Sequence, residues 1–176
     1  MMSVRRSALL AASLALAGLL VACAGDNYVP KREPSFYRNL AQPGAQLDEA
    51  AAASMISGYR SNNGLPAVTL DADLTRMAQG QAELMAKRDK LDHAAGKPFI
   101  TRLKAAGYDA KIAAENIGAG YHTLAEAFSG WRDSPPHKAN MLLKGATRMG
   151  IAAVYTPRSK YKVYWAMIIA EPDDRR

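Results

Sequence analysis

Cysteine is nearly absent: the 176-residue chain holds one, Cys23. No internal disulfide can form, and paired-cysteine metal or redox motifs are excluded, so the folded part must be stabilised by packing. Histidine is scarce as well, limited to His93, His122 and His137, and no two of them stand at the HExxH spacing of a helical zinc site. Gly118-Ala119-Gly120 lacks the continuation of a phosphate-binding loop, and GxSxG is missing. Aromatic residues make up only 7% of the chain and do not interleave with its basic ones, which argues against a nucleic-acid partner. The formal charge of +7 is scattered over Lys87, Arg88, Lys90, Lys97, Arg102, Lys104 and Lys111 among others. A solvated basic surface is the plain reading; attraction to anionic headgroups or wall polymers is the alternative.

What is present begins at the amino end. Arg5 and Arg6 precede Ser7 to Ala22, a run made almost wholly of alanine and leucine, and Leu20-Val21-Ala22 lead directly into Cys23. This is the pattern of a secretory signal ending in a lipobox. Residues 1–22 are expected to be removed, and Cys23 to become a diacylglyceryl-modified, acylated N-terminus carrying chains such as palmitate. Membrane lipid is then the partner held through Cys23, and several acyl chains make the anchoring stable. An ordinary signal peptide with an incidental cysteine and an uncleaved anchor are the alternatives. The run is short beside the roughly 20 apolar residues that a bilayer crossing needs. Cleavage leaves 154 residues with net charge +5, one domain with a sizeable core. The address is the cell envelope. Ala24, where aspartate signals inner-membrane retention, points to the outer membrane facing the periplasm if the source is Gram-negative.

Residues 23–46 contain Pro30, Pro34, Pro43, Gly25 and Gly44 without periodicity. They read as a tether spanning about 25 Å, from which Phe36, Tyr37 and Leu40 can dock on the domain. The domain itself is assigned to 47–176. Asp48 caps a helix running to about Ser61 with Ala52, Met55, Ile56 and Tyr59 on one face, and Asn62-Asn63-Gly64 ends it. Asp71 caps a second helix with Leu74, Met77, Ala78, Ala82 and Met85 at helical spacing. A short third fits Pro98 to Ala106, stopped by Gly107. Thr123 opens a fourth and forms a capping box with Glu126. Met149 to Tyr155 and Tyr161 to Ile169 read as strands joined across Thr156 to Lys160, with a weaker strand near Lys111 to Ala114. Helices followed by a terminal hairpin predict an α+β domain.

Ser134 stands three residues before His137, a spacing open to a Ser–His reading. Its place before Pro135 favours a helix N-cap instead. Trp131 and Trp165 are expected in the core. Asn116 and Asn140 are expected to fix backbone, and His122 to lie at a rim.

Several elements occur in order: Leu91-Asp92-His93, Ala114-Glu115-Asn116-Ile117, Gly130-Trp131-Arg132-Asp133-Ser134-Pro135-Pro136-His137-Lys138-Ala139-Asn140, Met149-Gly150-Ile151 and Tyr164-Trp165-Ala166. Together they resemble the bacterial branch of the CAP superfamily (cysteine-rich secretory protein, antigen 5 and pathogenesis-related 1; SCP-like), over roughly Leu47 to Ala170. The resemblance implies a three-layer α-β-α sandwich with a mainly antiparallel central sheet. It also implies an open cleft where His93, Glu115 and His137 meet. The second glutamate usual in animal and plant members is absent; only Asp133, followed by Ser134, is available at that place.

Two imidazoles and a carboxylate are good donors for a divalent metal such as zinc, can hold a small polar ligand, or can act as acid and base. With no activated nucleophile in the sequence, the preferred expectation is a monomeric, non-enzymatic binding module. Its cleft is His93, Glu115, Asp133, Ser134 and His137, with His93, Glu115 and His137 as candidate metal ligands. A metal-dependent hydrolase of peptide or cell-wall substrates, using the same three residues, is one alternative. Lipid or sterol binding is another.

Overall fold

The computed structural model describes residues 33–173, so the leader, Cys23 and the first part of the tether lie outside the described residues. Helix α1 covers Glu49–Ser61, α2 Ala72–Arg88, α3 Phe99–Ala105, α4 Leu124–Asp133 and α5 Pro135–Met141. Strands are β1 Thr69–Leu70, β2 Ala110–Ala119, β3 Arg148–Tyr155 and β4 Val163–Pro172, and the sheet order is β1-β3-β4-β2. None of the helices among the described residues is long and apolar enough to cross a membrane.

The helix starts follow from short polar side chains that satisfy otherwise orphaned amides. Asp48 accepts from the Ala51 amide, and Asp71 from those of Asp73 and Leu74. Thr123 and Glu126 cap each other reciprocally. Gly107, after α3, takes the left-handed conformation with φ +66° that glycine tolerates best.

Central strand β4 is buried along eight consecutive residues, and its alternation explains the layers. Val163, Trp165, Met167 and Ile169 pack with Ala52 and Ile56 of α1 and Leu124, Ala127 and Trp131 of α4. Tyr164, Ala166, Ile168 and Ala170 pack on the other side with Leu74, Ala78, Ala82 and Met85 of α2 and Leu103 of α3. Two apolar faces on one strand demand cover on both sides, hence the α-β-α sandwich. The two tryptophans meet edge to face, with centroids 6.4 Å apart, and both indoles donate to backbone carbonyls: Trp131 to Ile117, Trp165 to Tyr121. The approach of α2 to β3 is so close that a Cβ on Gly150 would overlap the backbone of Leu74 and Thr75.

Two differences from the sequence reading concern the sheet. The β2–β4 and β3–β4 pairs are antiparallel, but the two-residue β1 pairs parallel with β3, so the sheet is mixed. Strand β2 is also far longer than Lys111 to Ala114. Its alanines and its polar Glu115-Asn116 pair mute the β signal there. Phe36 and Leu40 do dock. Leu40 is buried in the first layer's core, with its amide donating to the His122 carbonyl at 2.7 Å, so packing begins upstream of Leu47.

Candidate functional site

The site is built around the middle of β2, where adjacent residues point to opposite faces of the strand. Glu115 turns toward the α2–α3 connection and Asn116 toward α5. The α2–α3 connection is tied back to α2 by the Gln81 amide, which donates to the Asp92 carbonyl at 2.7 Å. Asp92 itself accepts from the Ala94 amide and from Lys90, and these bonds lower its proton affinity. This turn carries His93, whose side chain stays 54% exposed while its Nδ1 lies 2.9 Å from Glu115 Oε1.

Glu115 is only 1% exposed, so its carboxylate needs partners for both oxygens. Arg102 of α3 supplies the second, with Nη2 donating to Oε2 at 2.5 Å. The same guanidinium donates to the Lys97 and His93 carbonyls at 3.2 and 3.4 Å, so one side chain fastens the histidine-bearing loop to the buried acid. A carboxylate only accepts. His93 therefore donates through Nδ1, which leaves Nε2 for another partner.

His137 is placed by α5. Pro135 and Pro136 at the first two helical positions have no amide to cap, and the Ser134 hydroxyl instead shares a 2.9 Å hydrogen bond with His137 Nδ1. Ser134 is thus the N-cap by position, while its side chain orients the imidazole. Asn116 donates to the His137 carbonyl at 3.0 Å, and Asn140 donates to the Glu115 carbonyl and to Asn116 Oδ1 at 3.2 and 2.9 Å. These bonds seat α5 along the open edge of β2, which would otherwise expose unpaired backbone groups. Burial, and then the charge of His93, hold the proton affinity of His137 below the ordinary histidine value. Glu115 and Asn116, adjacent on β2, thus reach one to the His93 side chain and the other to the backbone of His137.

The sequence-derived candidates separate accordingly. His93 and Glu115 touch, Ser134 touches His137, and His137 senses His93 through charge. Asp133 does not join them: its carboxylate pairs with Arg132 at 2.8 and 3.1 Å and is two-thirds exposed. A short carboxylate beside a flexible arginine finds its partner locally. His122 contributes its backbone, accepting from Leu40 and donating to Glu126.

The expected metal set of His93, Glu115 and His137 is not assembled. Among the described residues no group of three or more histidine, cysteine, aspartate or glutamate side chains is arranged to hold a metal ion. The physical reason is Arg102, which occupies the carboxylate oxygen a metal would need and places a fixed positive charge beside it. Glu115 stands behind His93 as its hydrogen-bond partner. Arg102 was not singled out from the sequence, because nothing there distinguishes it from Lys97 or Lys104 on the same stretch.

The profile of the Cysteine-rich secretory protein family, CAP, matches residues 53–169. An uncharacterized Bacillus subtilis protein, YkwD, is 28% identical over 109 residues, covering 60% of this chain and 42% of its own length. An extracellular SCP-domain protein of Bacillus anthracis shares the fold with TM-score 0.61 and 21% identity, covering 69% of this chain and 39% of that one. An outer surface protein of Borrelia burgdorferi superposes with TM-score 0.64 and 17% identity over 74% of this chain and 99% of that one. The chain thus spans about two fifths of the length of the two Bacillus proteins. On the family match and the fold together, the chain belongs to the CAP family.

Proposed function

We propose that this CAP domain is an envelope-anchored, non-enzymatic binding module whose two imidazoles hold a small polar ligand. The observation that carries the reading is the fixed orientation of His93: half in water, with Nδ1 pinned by a buried, Arg102-paired Glu115. Such a ring is preorganised to present Nε2 at little entropic cost. His137, buried further and oriented by Ser134, presents a second. Arg102 also argues against the hydrolase alternative. A general base needs a free lone pair aimed at water, and both oxygens of Glu115 are engaged.

The envelope address rests on the leader and the Leu20-Val21-Ala22-Cys23 pattern. It agrees with the descriptions of two relatives as an extracellular protein and an outer surface protein. Replacing Cys23→Ser should abolish incorporation of labelled fatty acid in the cell; labelling that persists would remove the lipoprotein reading.

Ligand binding is tested on residues 24–176, which contain every residue of both core clusters. Soluble peptidoglycan fragments, amino sugars and zinc are titrated while the histidine ring signals are followed by NMR. At least one polar probe should shift both His93 and His137 with a common midpoint, and zinc should bind weakly because only two imidazoles are offered. Probes that leave both rings unmoved, or bind equally to a His93→Ala, His137→Ala double variant, would overturn the proposal.

A further inference from the structure

From the last turn of α2 to the end of α3 the chain presents cations around two aliphatic side chains. Lys87, Arg88, Lys90, Lys97 and Lys104 are all exposed. Among them Leu91 and Ile100 keep 46% and 54% of their surface in water, and no other large hydrophobic among the described residues is more exposed than Ile100. The acids of this stretch are already engaged. Asp89 accepts from the Tyr164 hydroxyl, and Asp92 from Lys90 and the Ala94 amide. Among the described residues only Lys90 of the five cations forms an ion pair.

The stretch is held as one body rather than as a loose tail. Gln81 holds the Asp92 carbonyl, and Arg102 holds the carbonyls of His93 and Lys97. On α3, Ile100 and Lys104 stand four residues apart, neighbours on the helix surface, and both are exposed. Single exposed aliphatics are ordinary on protein surfaces. Two of them, set among five exposed cations of which four form no ion pair among the described residues, fit a partner that is both anionic and apolar beneath.

We propose that the Lys87–Lys104 surface docks on an anionic lipid bilayer. The cations meet headgroup phosphates, and Leu91 and Ile100 enter the boundary between headgroups and acyl chains. An anionic polymer would reward the charges alone; removal of two aliphatic side chains from water needs a medium of low polarity. This goes beyond the ligand-binding reading and depends neither on that reading nor on Cys23.

The test is co-sedimentation of residues 24–176 with vesicles of phosphatidylcholine alone or mixed with phosphatidylglycerol. Binding is expected only with the mixed vesicles and should weaken with added salt, by roughly fivefold for each lysine screened from its phosphate. Reversal of Lys87, Lys97 and Lys104 to glutamate should abolish it. The pair Leu91→Ser and Ile100→Ser leaves the charge unchanged and alters two exposed residues; it should lower partitioning on the order of tenfold. Equal binding to uncharged vesicles, or none to the mixed ones, would overturn the proposal. So would an unchanged affinity of the serine pair with full competition by soluble polyphosphate, which would assign the surface to a polymer.

Discussion

Arg60 is fully buried in α1, yet among the described residues it forms no ion pair with a carboxylate. Its guanidinium donates instead to four main-chain carbonyls: Pro66 at 2.9 Å, Met141 and Leu143 at 3.0 Å each, and Ala146 at 2.8 Å. These belong to the α1–β1 connection and to the end of α5 and its connection to β3, so one side chain closes the far end of the helix that carries His137. Burial lowers the proton affinity of Arg60, but the group remains a cation. Replacement by Met keeps the length and apolar stem while orphaning four acceptors. A buried polar group left unsatisfied costs about 1–3 kcal/mol. Taking the low end for each carbonyl and returning part for the guanidinium desolvation no longer needed leaves about 3 kcal/mol. Replacing a buried ion pair by apolar side chains can be neutral, because both partners change. Here the partners are backbone and stay. Urea unfolding followed by far-ultraviolet circular dichroism should show an Arg60→Met midpoint lowered at constant slope, with Tm down by roughly 6–12 °C. Arg60→Lys, which keeps the charge but loses the fork, should fall between. A loss under about 1 kcal/mol for the Met variant would refute the reasoning, since the carbonyls would then have found other partners.

Three further outcomes are expected. Gly150→Ala places a methyl group against the backbone of Leu74 and Thr75, so α2 must move off β3; a loss of about 2–3 kcal/mol in the same urea assay should result, and a neutral change would contradict the packing. Glu115→Gln leaves the Arg102 charge without its counter-ion and should cost about 3 kcal/mol or more, with hydrogen exchange of residues 92–98 accelerating as the loop loosens; unchanged protection would show that Arg102 does not hold it. The lowered proton affinity of His137 means that the unfolded chain binds its proton more readily. Stability should therefore fall as pH drops below about 6.5 and level off once the folded midpoint is passed; the loss should be absent in His137→Gln.

Much of the scaffold was readable from local chemistry. Asp48, Asp71 and the Thr123–Glu126 box mark helix starts because their side chains reach amides two or three residues away, a relation that sequence displays directly. The β1–β3 pairing was not readable, since two residues joined to a strand nearly half the chain away leave no local pattern. The same holds within the site. Three ordered motifs pointed to His93, Glu115 and His137, but which atoms they turn toward each other depends on Arg102, Asn116 and Asn140 arriving from separate elements. A carboxylate looks the same in sequence whether it is free to bind a metal or already clamped by a guanidinium. Ser134 shows the converse: its cap position was evident, while its hydroxyl bonds the His137 ring rather than an amide of the helix, a choice that position alone does not display.

The central claim is that the imidazoles of residues 93 and 137 share one electrostatic space. It is tested most directly by an NMR pH titration of the His137 ring in the native sequence and in His93→Ala. The native ring should titrate below the ordinary histidine value, and the variant should move back upward while staying depressed by burial. A His137 midpoint unaffected by removal of His93 would contradict the account.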